Sequence, residues 1–476
     1  MDRHRVAAGP GTRVDRAQAG GYNQPAMLRS GHRPAWGLVL LLALALTPVL
    51  CRPLAKFEPL RGCYVGAFIQ LDNTVKGDHQ LFERLTGKKH ASYFRYVGYG
   101  MPFPKEWAGR VKAAGAAPHI AMEPNEGLDK VKDDVYLRQW AKDAAALGCP
   151  IFLRFASEMN GTWMPYSGDP KLFIEKWRLL HDVLERLAPN VAMVWTPFAT
   201  PLSTIPDYYP GDDYVDWVGV NIYSVYFHDG DPRKAAGEDP RQLLRYVYRK
   251  YGDRKPIQIS EYAASHYCTA AKKSIVDFAV ARMSVLYRSL EKDLPNVKMI
   301  NWFSVDAAET GLADNDYSVT SEPRVLATYR KLIASPYFLS EVRPIQIASL
   351  PPTVTGPETG PPEVGPPPVS VPPGAWTSEL GPEPKRGVRL LLRGASVDVL
   401  KGHVSLIADV GTEEPVGWVS FRVDGRTVTL RNAPPFRFEW DSTRVPNGTY
   451  RLTVVALGDA SQELASDELM VEVDNR

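Results

Sequence analysis

Between residues 62 and 303 the chain repeats one layout eight times, a short apolar run followed by a longer amphipathic or polar stretch. The runs are Cys63 to Ile69, Tyr93 to Val97, Ala117 to Met122, Pro150 to Phe155, Val191 to Thr196, Val215 to Val220, Pro256 to Ser260 and Lys298 to Phe303. Helical periodicity marks the stretches Val135 to Leu147, Lys171 to Leu187, Arg241 to Tyr251 and Ala271 to Leu290. Short strands that are apolar on both faces and alternate with helices build a parallel sheet, because parallel neighbours need a crossover of a dozen or more residues. Eight such units within about 280 residues predict a closed (β/α)8 barrel. An open doubly wound sheet is the alternative. No glycine-rich phosphate fingerprint follows the first run, so nucleotide binding has no support.

The 476-residue chain is too long for one ordinary domain. Residues 1–55 read as an extension plus a secretory signal or N-terminal anchor. Trp36 to Leu50 is almost wholly apolar and follows Arg29 and Arg33, with Met27 a start of ordinary signal length. That run is short for a membrane span, and an uncleaved anchor is the alternative. Either way the chain is expected to work outside the cytoplasm, secreted or attached to the cell envelope. The barrel is predicted over 56–343. Residues 344–386 hold repeated Pro-Pro steps and little that could enter a core, which predicts an extended linker. Residues 387–476 read as short alternating strands with turn signals at Asp424-Gly425 and Asn447-Gly448, the pattern of a small all-β immunoglobulin-like sandwich.

Two carboxylates stand out within the barrel region. The run Pro150-Ile151-Phe152-Leu153 leads into Arg154-Phe155-Ala156-Ser157-Glu158, and Pro256-Ile257-Gln258-Ile259-Ser260 leads into Glu261. Each glutamate falls where a buried strand runs out into a loop, on the fourth and seventh runs. In a parallel barrel that end carries the catalytic groups. A proton donor paired with a carboxylate is the minimum for cleaving a glycosidic bond, with retention at a separation of about 5 to 5.5 Å and inversion at about 6.5 to 9.5 Å. Either glutamate alone would read as a solvated loop residue or an ion-pair partner. The pairing, with Arg154 and Asn160 beside it, favours a site. Arg154 is expected to pair with a neighbouring carboxylate such as Glu123 or to touch substrate, and Asn160 to cap its loop or contact sugar. The long, Pro-rich, aromatic segment from Pro197 to Asp213 is expected to shape the cleft.

The run Arg154 to Trp163 resembles the acid/base motif of glycoside hydrolase family 26, a family of retaining glycosidases that contains the β-mannanases. Ile259-Ser260-Glu261-Tyr262 resembles the nucleophile motif, and Val215 to Tyr223 the strand-six segment of the same family. The resemblance implies Glu158 as acid/base, Glu261 as nucleophile, Trp163 as a sugar contact, Tyr223 as the donor that orients the nucleophile and Trp302 as the floor of the cleavage subsite. It implies endo-acting hydrolysis of a β-1,4-mannan by double displacement. Two positions depart from the pattern: Ser157 stands where the mannanases carry His, and Asn221 where Asp is usual. A β-glucanase, a xylanase or an exopolysaccharide hydrolase is therefore also open, as is a non-catalytic polysaccharide-binding protein on the same barrel. The tail segment Val416 to Gly425, with Asn447 to Tyr450, resembles bacterial Ig-like modules of secreted enzymes.

Fifty-six basic and 54 acidic residues leave a net charge of +2, which gives no reason to expect nucleic acid as a partner. No Cys-x-x-Cys pair or other metal constellation occurs, and no cofactor or metal is expected. A polysaccharide substrate and a monomeric chain complete the reading.

Overall fold

A computed structural model describes residues 52–343 and 387–476, apart from 229–233, 307, 309–313, 394–398, 413, 415, 433 and 459–461. The expected signal or anchor segment and the Pro-rich linker lie outside the described residues.

Eight strands form the barrel: β1 (Cys63–Leu71), β2 (Ser92–Gly98), β3 (Ala117–Glu123), β4 (Ile151–Phe155), β5 (Val191–Trp195), β6 (Trp217–Ser224), β7 (Ile257–Ala264) and β8 (Val297–Val305). Each pairs in parallel with the next, and β8 pairs with β1 from Tyr64↔Met299 to Leu71↔Val305, which closes the sheet. The helices outside it are α1 (His79–Thr86), α2 (Lys105–Ala113), α3 (Val135–Ala146), α4 (Pro170–Leu187), α5 (Pro240–Tyr251), α6 (Val276–Lys292) and α7 (Pro323–Ile333). The connection from β5 to β6 carries only 3-10 turns at Ile205–Tyr208 and Asp212–Tyr214.

Local chemistry explains where these helices begin. Asp78, Asp134, Asp169 and Asp239 each cap a helix by accepting a backbone N–H from its first turn. Three helices open on an acidic cap followed by proline, at Asp169-Pro170, Asp239-Pro240 and Glu322-Pro323. The cap accepts one orphan N–H, and proline removes another while presetting its own φ. α6 begins five residues later than its composition suggests. Lys273–Ser274 pairs with Tyr267–Cys268 instead, behind a left-handed Lys272 with φ 53°.

The barrel interior is layered by the two-residue period of its strands. Tyr64, Phe152, Val194, Trp217 and Met299 pack the lower layer. The next layer is polar: Ser92, His119, Thr196, Ser260 and Asn301 are each fully buried. Glycines make room there. A Cβ on Gly66 would stand 2.0 Å from Asn301 Oδ1, and one on Gly219 would stand 2.2 Å from Thr196 Oγ1. Outward-facing residues join the helices in the main apolar core, with Trp140, Trp177 and Trp195 among the largest buried side chains.

The carboxy-terminal residues form two packed sheets, antiparallel except where Val399–Leu400 pairs in parallel with the last strand. β9 (Gly387–Arg393), β10 (His403–Gly411) and β13 (Phe436–Asp441) make the first; β11 (Trp418–Val423), β12 (Arg426–Arg431), β14 (Gly448–Leu457) and β15 (Glu463–Val473), with Val399–Leu400, make the second. Their shared core holds Val404, Leu406, Val419, Phe421, Trp440, Leu452, Val454 and Val471. The architecture is a (β/α)8 barrel followed by an Ig-like sandwich, as expected.

Candidate active site

The C-terminal ends of the strands bring together side chains from half the barrel. β4 ends at Phe155, and the chain then turns through left-handed backbone at Ala156 (φ 48°) and Glu158 (φ 60°). Both are strained for residues with a Cβ. The neighbouring strands hold them there: the Ala156 N–H donates to the Met122 carbonyl of β3, and the Glu158 N–H to the Thr196 carbonyl just after β5. The turn throws the Glu158 side chain inward. Asn221 Nδ2 donates to its Oε1 at 2.7 Å, and Trp163 Nε1 donates to its Oε2 at 2.8 Å. Trp163 folds back so closely that a Cβ on Gly161 would lie 2.3 Å from its ring.

Glu261 reaches the same place by a different device. Gln258 and Ser260 face the barrel interior, so simple alternation would send Glu261 outward to the helices. The register slips instead: Ile259 pairs with Val220, but Glu261 pairs with Asn221, the next residue along β6. β8 records the same slip, with Ile300 opposite Ile259 and Trp302 opposite Tyr262. This bulge turns Ser260 and Glu261 both inward and restores Tyr262 to the outer side. Three donors then converge on the carboxylate. Arg154 Nη1 donates to Oε1 at 2.7 Å, the Tyr96 hydroxyl donates to Oε1 at 2.5 Å, and the Tyr223 hydroxyl donates to Oε2.

The two carboxylates are joined through Asn221. This residue donates to Glu158, lies opposite Glu261 in the sheet, and accepts from Arg154 Nη1 at 3.4 Å. Desolvation, and then the charge of Glu261, push the Glu158 carboxyl up to about 7. Burial, and then the same charge, hold the Tyr96 and Tyr223 hydroxyls well above the usual phenol range, so both remain donors. A third carboxyl, Glu123 at the end of β3, is buried and raised to about 7 chiefly by desolvation; the Tyr166 hydroxyl donates to it.

The expected site residues sort into three groups. Glu158, Glu261, Trp163 and Tyr223 meet at the mouth. Trp163 is 53% exposed, with its ring edge-on to Phe198 from the β5–β6 loop at 5.2 Å. Arg154 is fully buried and pairs with a carboxylate inside the barrel, as one expectation had it, but the partner is Glu261 and not Glu123. It is closed off from solvent, with its guanidinium 4.7 Å from the Phe94 ring. Asn160 is also buried. Its Nδ2 donates to the Phe198 carbonyl at 3.0 Å and its Oδ1 accepts the Phe198 N–H at 2.8 Å, which ties the β4 loop to the β5 loop.

Trp302 is a correction. It is fully buried, donates from Nε1 to the Tyr317 carbonyl at 2.9 Å, and packs against Tyr262, Tyr287 and Tyr329. The alternation of β8 points Asn301 and Phe303 inward and Trp302 at the helices, so no ring face of Trp302 reaches the mouth. Tyr96 and Asn221 were missed as site members. Tyr96 had a signal in the sequence, since it follows Phe94 by two residues at the end of β2. Among the described residues no cluster of His, Cys, Asp and Glu is grouped to hold a metal ion.

Eight parallel strands closed on themselves, with two carboxyls at the C-terminal ends of β4 and β7 and fixed donors on one of them, define a (β/α)8 barrel with a carboxylate site at the end where such barrels carry catalytic groups. Residues 122–236 match the model of glycosyl hydrolase family 26, a span that takes in Glu158, Asn221 and Tyr223, and residues 393–454 match that of the bacterial Ig domain. The chain is thus similar to family 26 glycosyl hydrolases over part of its barrel and to bacterial Ig domains over part of its sandwich. It is 24% identical over 272 residues to endoglucanase H of Acetivibrio thermocellus, covering 53% of this chain and 28% of that one. It is 32% identical over 124 residues to the β-1,3-xylanase TXYA of a Vibrio species, covering 25% of this chain and 24% of that one. The chain thus spans about a quarter of the length of these curated relatives. Similar solved structures include a family 26 β-mannanase from Bacteroides ovatus, at 14% identity and a TM-score of 0.43, covering 59% of this chain and 90% of that one. A Cellulomonas fimi endo-β-1,4-mannanase double mutant stands at 16% and 0.45, covering 88% and 96%. At these scores they bear on neither the fold nor the site.

Proposed function

We propose that this chain is a retaining glycoside hydrolase that cleaves a β-linked polysaccharide outside the cytoplasm. Glu158 is the acid/base and Glu261 the nucleophile. The observation that carries this reading is the contrast between two carboxyls that share Asn221. Glu158 keeps its proton up to about pH 7, as a general acid must. Glu261 is gripped by an arginine and two tyrosines, as a nucleophile must be if its attacking oxygen is to meet the anomeric carbon in line.

In the first step Glu158 protonates the departing glycosidic oxygen while Glu261 bonds to the anomeric carbon. In the second step Glu158, now ionised, takes a proton from the water that displaces Glu261. Trp163 offers an exposed ring beside the proton donor for a sugar face. The motif around Glu158 favours a β-1,4-mannan as substrate. The relatives named as an endoglucanase and a β-1,3-xylanase, together with Ser157 in place of His, keep β-glucan and β-1,3-xylan as the second reading. The test is reducing-end release from mannan, β-glucan and both xylans, by wild type and by Glu261→Ala. The variant is expected to lose at least about 10³-fold in turnover on whichever glycan is cut. Full hydrolysis by Glu261→Ala, or binding of all four glycans without release by wild type, would overturn the assignment.

A further inference from the structure

The outer face of the Ig-like module carries an apolar patch that its own core does not use. In β11, Val419, Phe421 and Val423 point into the sandwich; in β14, Leu452, Val454 and Ala456 do so. The alternate residues Trp418, Val455 and Leu457 therefore point out, and Trp418 lies directly across from Leu457 in the sheet. An antiparallel sheet with one solvated face would carry polar side chains there. Trp418, Val455 and Leu457 are nonetheless 7%, 1% and 8% exposed, because they pack with Phe68, Phe94 and Val305 of the barrel, with Tyr96, Phe303 and Leu430 at the margin. A hydrogen bond from Asn125 Nδ2 to Asn432 Oδ1 at 3.2 Å extends the contact to the loop after β3.

These barrel residues belong to β8, β1, β2 and the loop after β3, four consecutive positions around the catalytic mouth. The other half of the rim, from β4 to β7, supplies Glu158, Asn221, Tyr223 and Glu261. The module therefore lies along one side of the site. Its nearest approach to the chemistry is Trp418, edge-on to the Tyr96 ring with centroids 6.2 Å apart. Tyr96 is also held by Phe68 at 5.5 Å and Phe94 at 5.9 Å, and it donates to Glu261.

We infer that the Ig-like module is a wall of the active site. Trp418 is a positioning residue that fixes Tyr96, and through it the nucleophile, and the docked module limits how many sugar units the cleft accepts on the β8–β3 side. The inference rests on the glycosidase reading for its enzymatic part only. A cleft closed on one side selects short products of one dominant length, whereas an open trough cuts at many positions along a chain.

The test uses the full chain and the variants Trp418→Ala, Trp418→Phe and Leu457→Asp. Leu457 faces away from the module's own core, so the charge is aimed at the contact and not at folding; circular dichroism of each variant checks this. Small-angle scattering should show a compact wild type and a larger radius of gyration for Leu457→Asp. On the glycan that wild type cuts, Trp418→Ala should lower kcat roughly tenfold with a smaller change in KM, and Trp418→Phe should restore most of it. Both Trp418→Ala and Leu457→Asp should broaden the product lengths. A wild type that scatters as two separated bodies would overturn the inference, and so would variants with wild-type kcat and product lengths. A wild type that is compact but cuts nothing would instead remove the glycosidase reading and leave the docking standing.

Discussion

Glu158 holds a proton to about pH 7 because its carboxyl is desolvated and faces a second carboxylate. On the proposed mechanism the free enzyme needs that proton to expel the leaving group, so kcat/KM should fall as pH rises through about 7, approaching tenfold per unit above it. In Glu158→Gln the limb should vanish along with most of the turnover, which a pH–rate profile reads directly. Glu123 titrates in the same range without being placed to touch the glycosidic bond. Its folded pKa of about 7 lies above the ordinary 4.5, so the stability it confers is full below about 4.5 and is lost as pH rises through 7. Glu123→Gln should therefore flatten the fall in unfolding free energy between pH 5 and 8, by up to about 3 kcal/mol, as read from chemical denaturation at each pH. The strand ends advertised Glu158 and Glu261 because a carboxylate after an apolar run is rarely idle. They could not show which way Glu261 faced, since only the β7 bulge aims it inward. Trp302 was misread for the matching reason: on β8 the inward parity belongs to Asn301 and Phe303. Asn221 acquires its role only when β6 lies beside β7, which no local pattern encodes.

At the level of elements, strand positions followed from hydrophobicity, and most helix starts from acidic caps and prolines. The start of α6 did not. The run Ala270-Ala271-Lys272-Lys273 favours helix locally, yet the antiparallel pairing of Tyr267–Cys268 with both Lys273–Ser274 and Asn315–Asp316 takes those residues first. Tertiary pairing overrides intrinsic preference wherever a strand partner is in reach. The loops after β4 and β5 show how elements bear on the site. Asn160 joins them by a two-way bond to the Phe198 backbone, and Phe198 in turn supports Trp163. Asn160→Ala leaves two part-buried backbone groups of Phe198 without this partner and should cost about 1 kcal/mol in chemical denaturation. It should also lower kcat by loosening the turn that presents Glu158, and kinetics on the same preparation would show whether both effects appear.

For the whole molecule, the barrel and the sandwich meet at one rim. The barrel carries the two carboxyls proposed to react, from β4 and β7, and the sandwich packs on the apolar rim formed by the barrel's other strands. Composition separated the two folds cleanly. It gave no hint that they touch, because Val454-Val455 and the Trp418–Leu457 pair look like ordinary strand residues until the sheet's two faces are told apart.

The left-handed backbone at Ala156 and Glu158 has a consequence for the molecule as a whole. Such conformations cost of order 1–3 kcal/mol each, against a total of only about 5–15 for a folded domain. Glu158→Gly should relieve one of them and remove a desolvated carboxyl that faces Glu261, against the loss of the hydrogen bonds from Asn221 and Trp163; a raised melting temperature is expected in differential scanning calorimetry at neutral pH, with turnover abolished on the proposed mechanism. A library of this protein selected for heat tolerance alone would thus be drawn toward glycine at position 158, and on the proposed mechanism its sturdiest survivors would be catalytically dead.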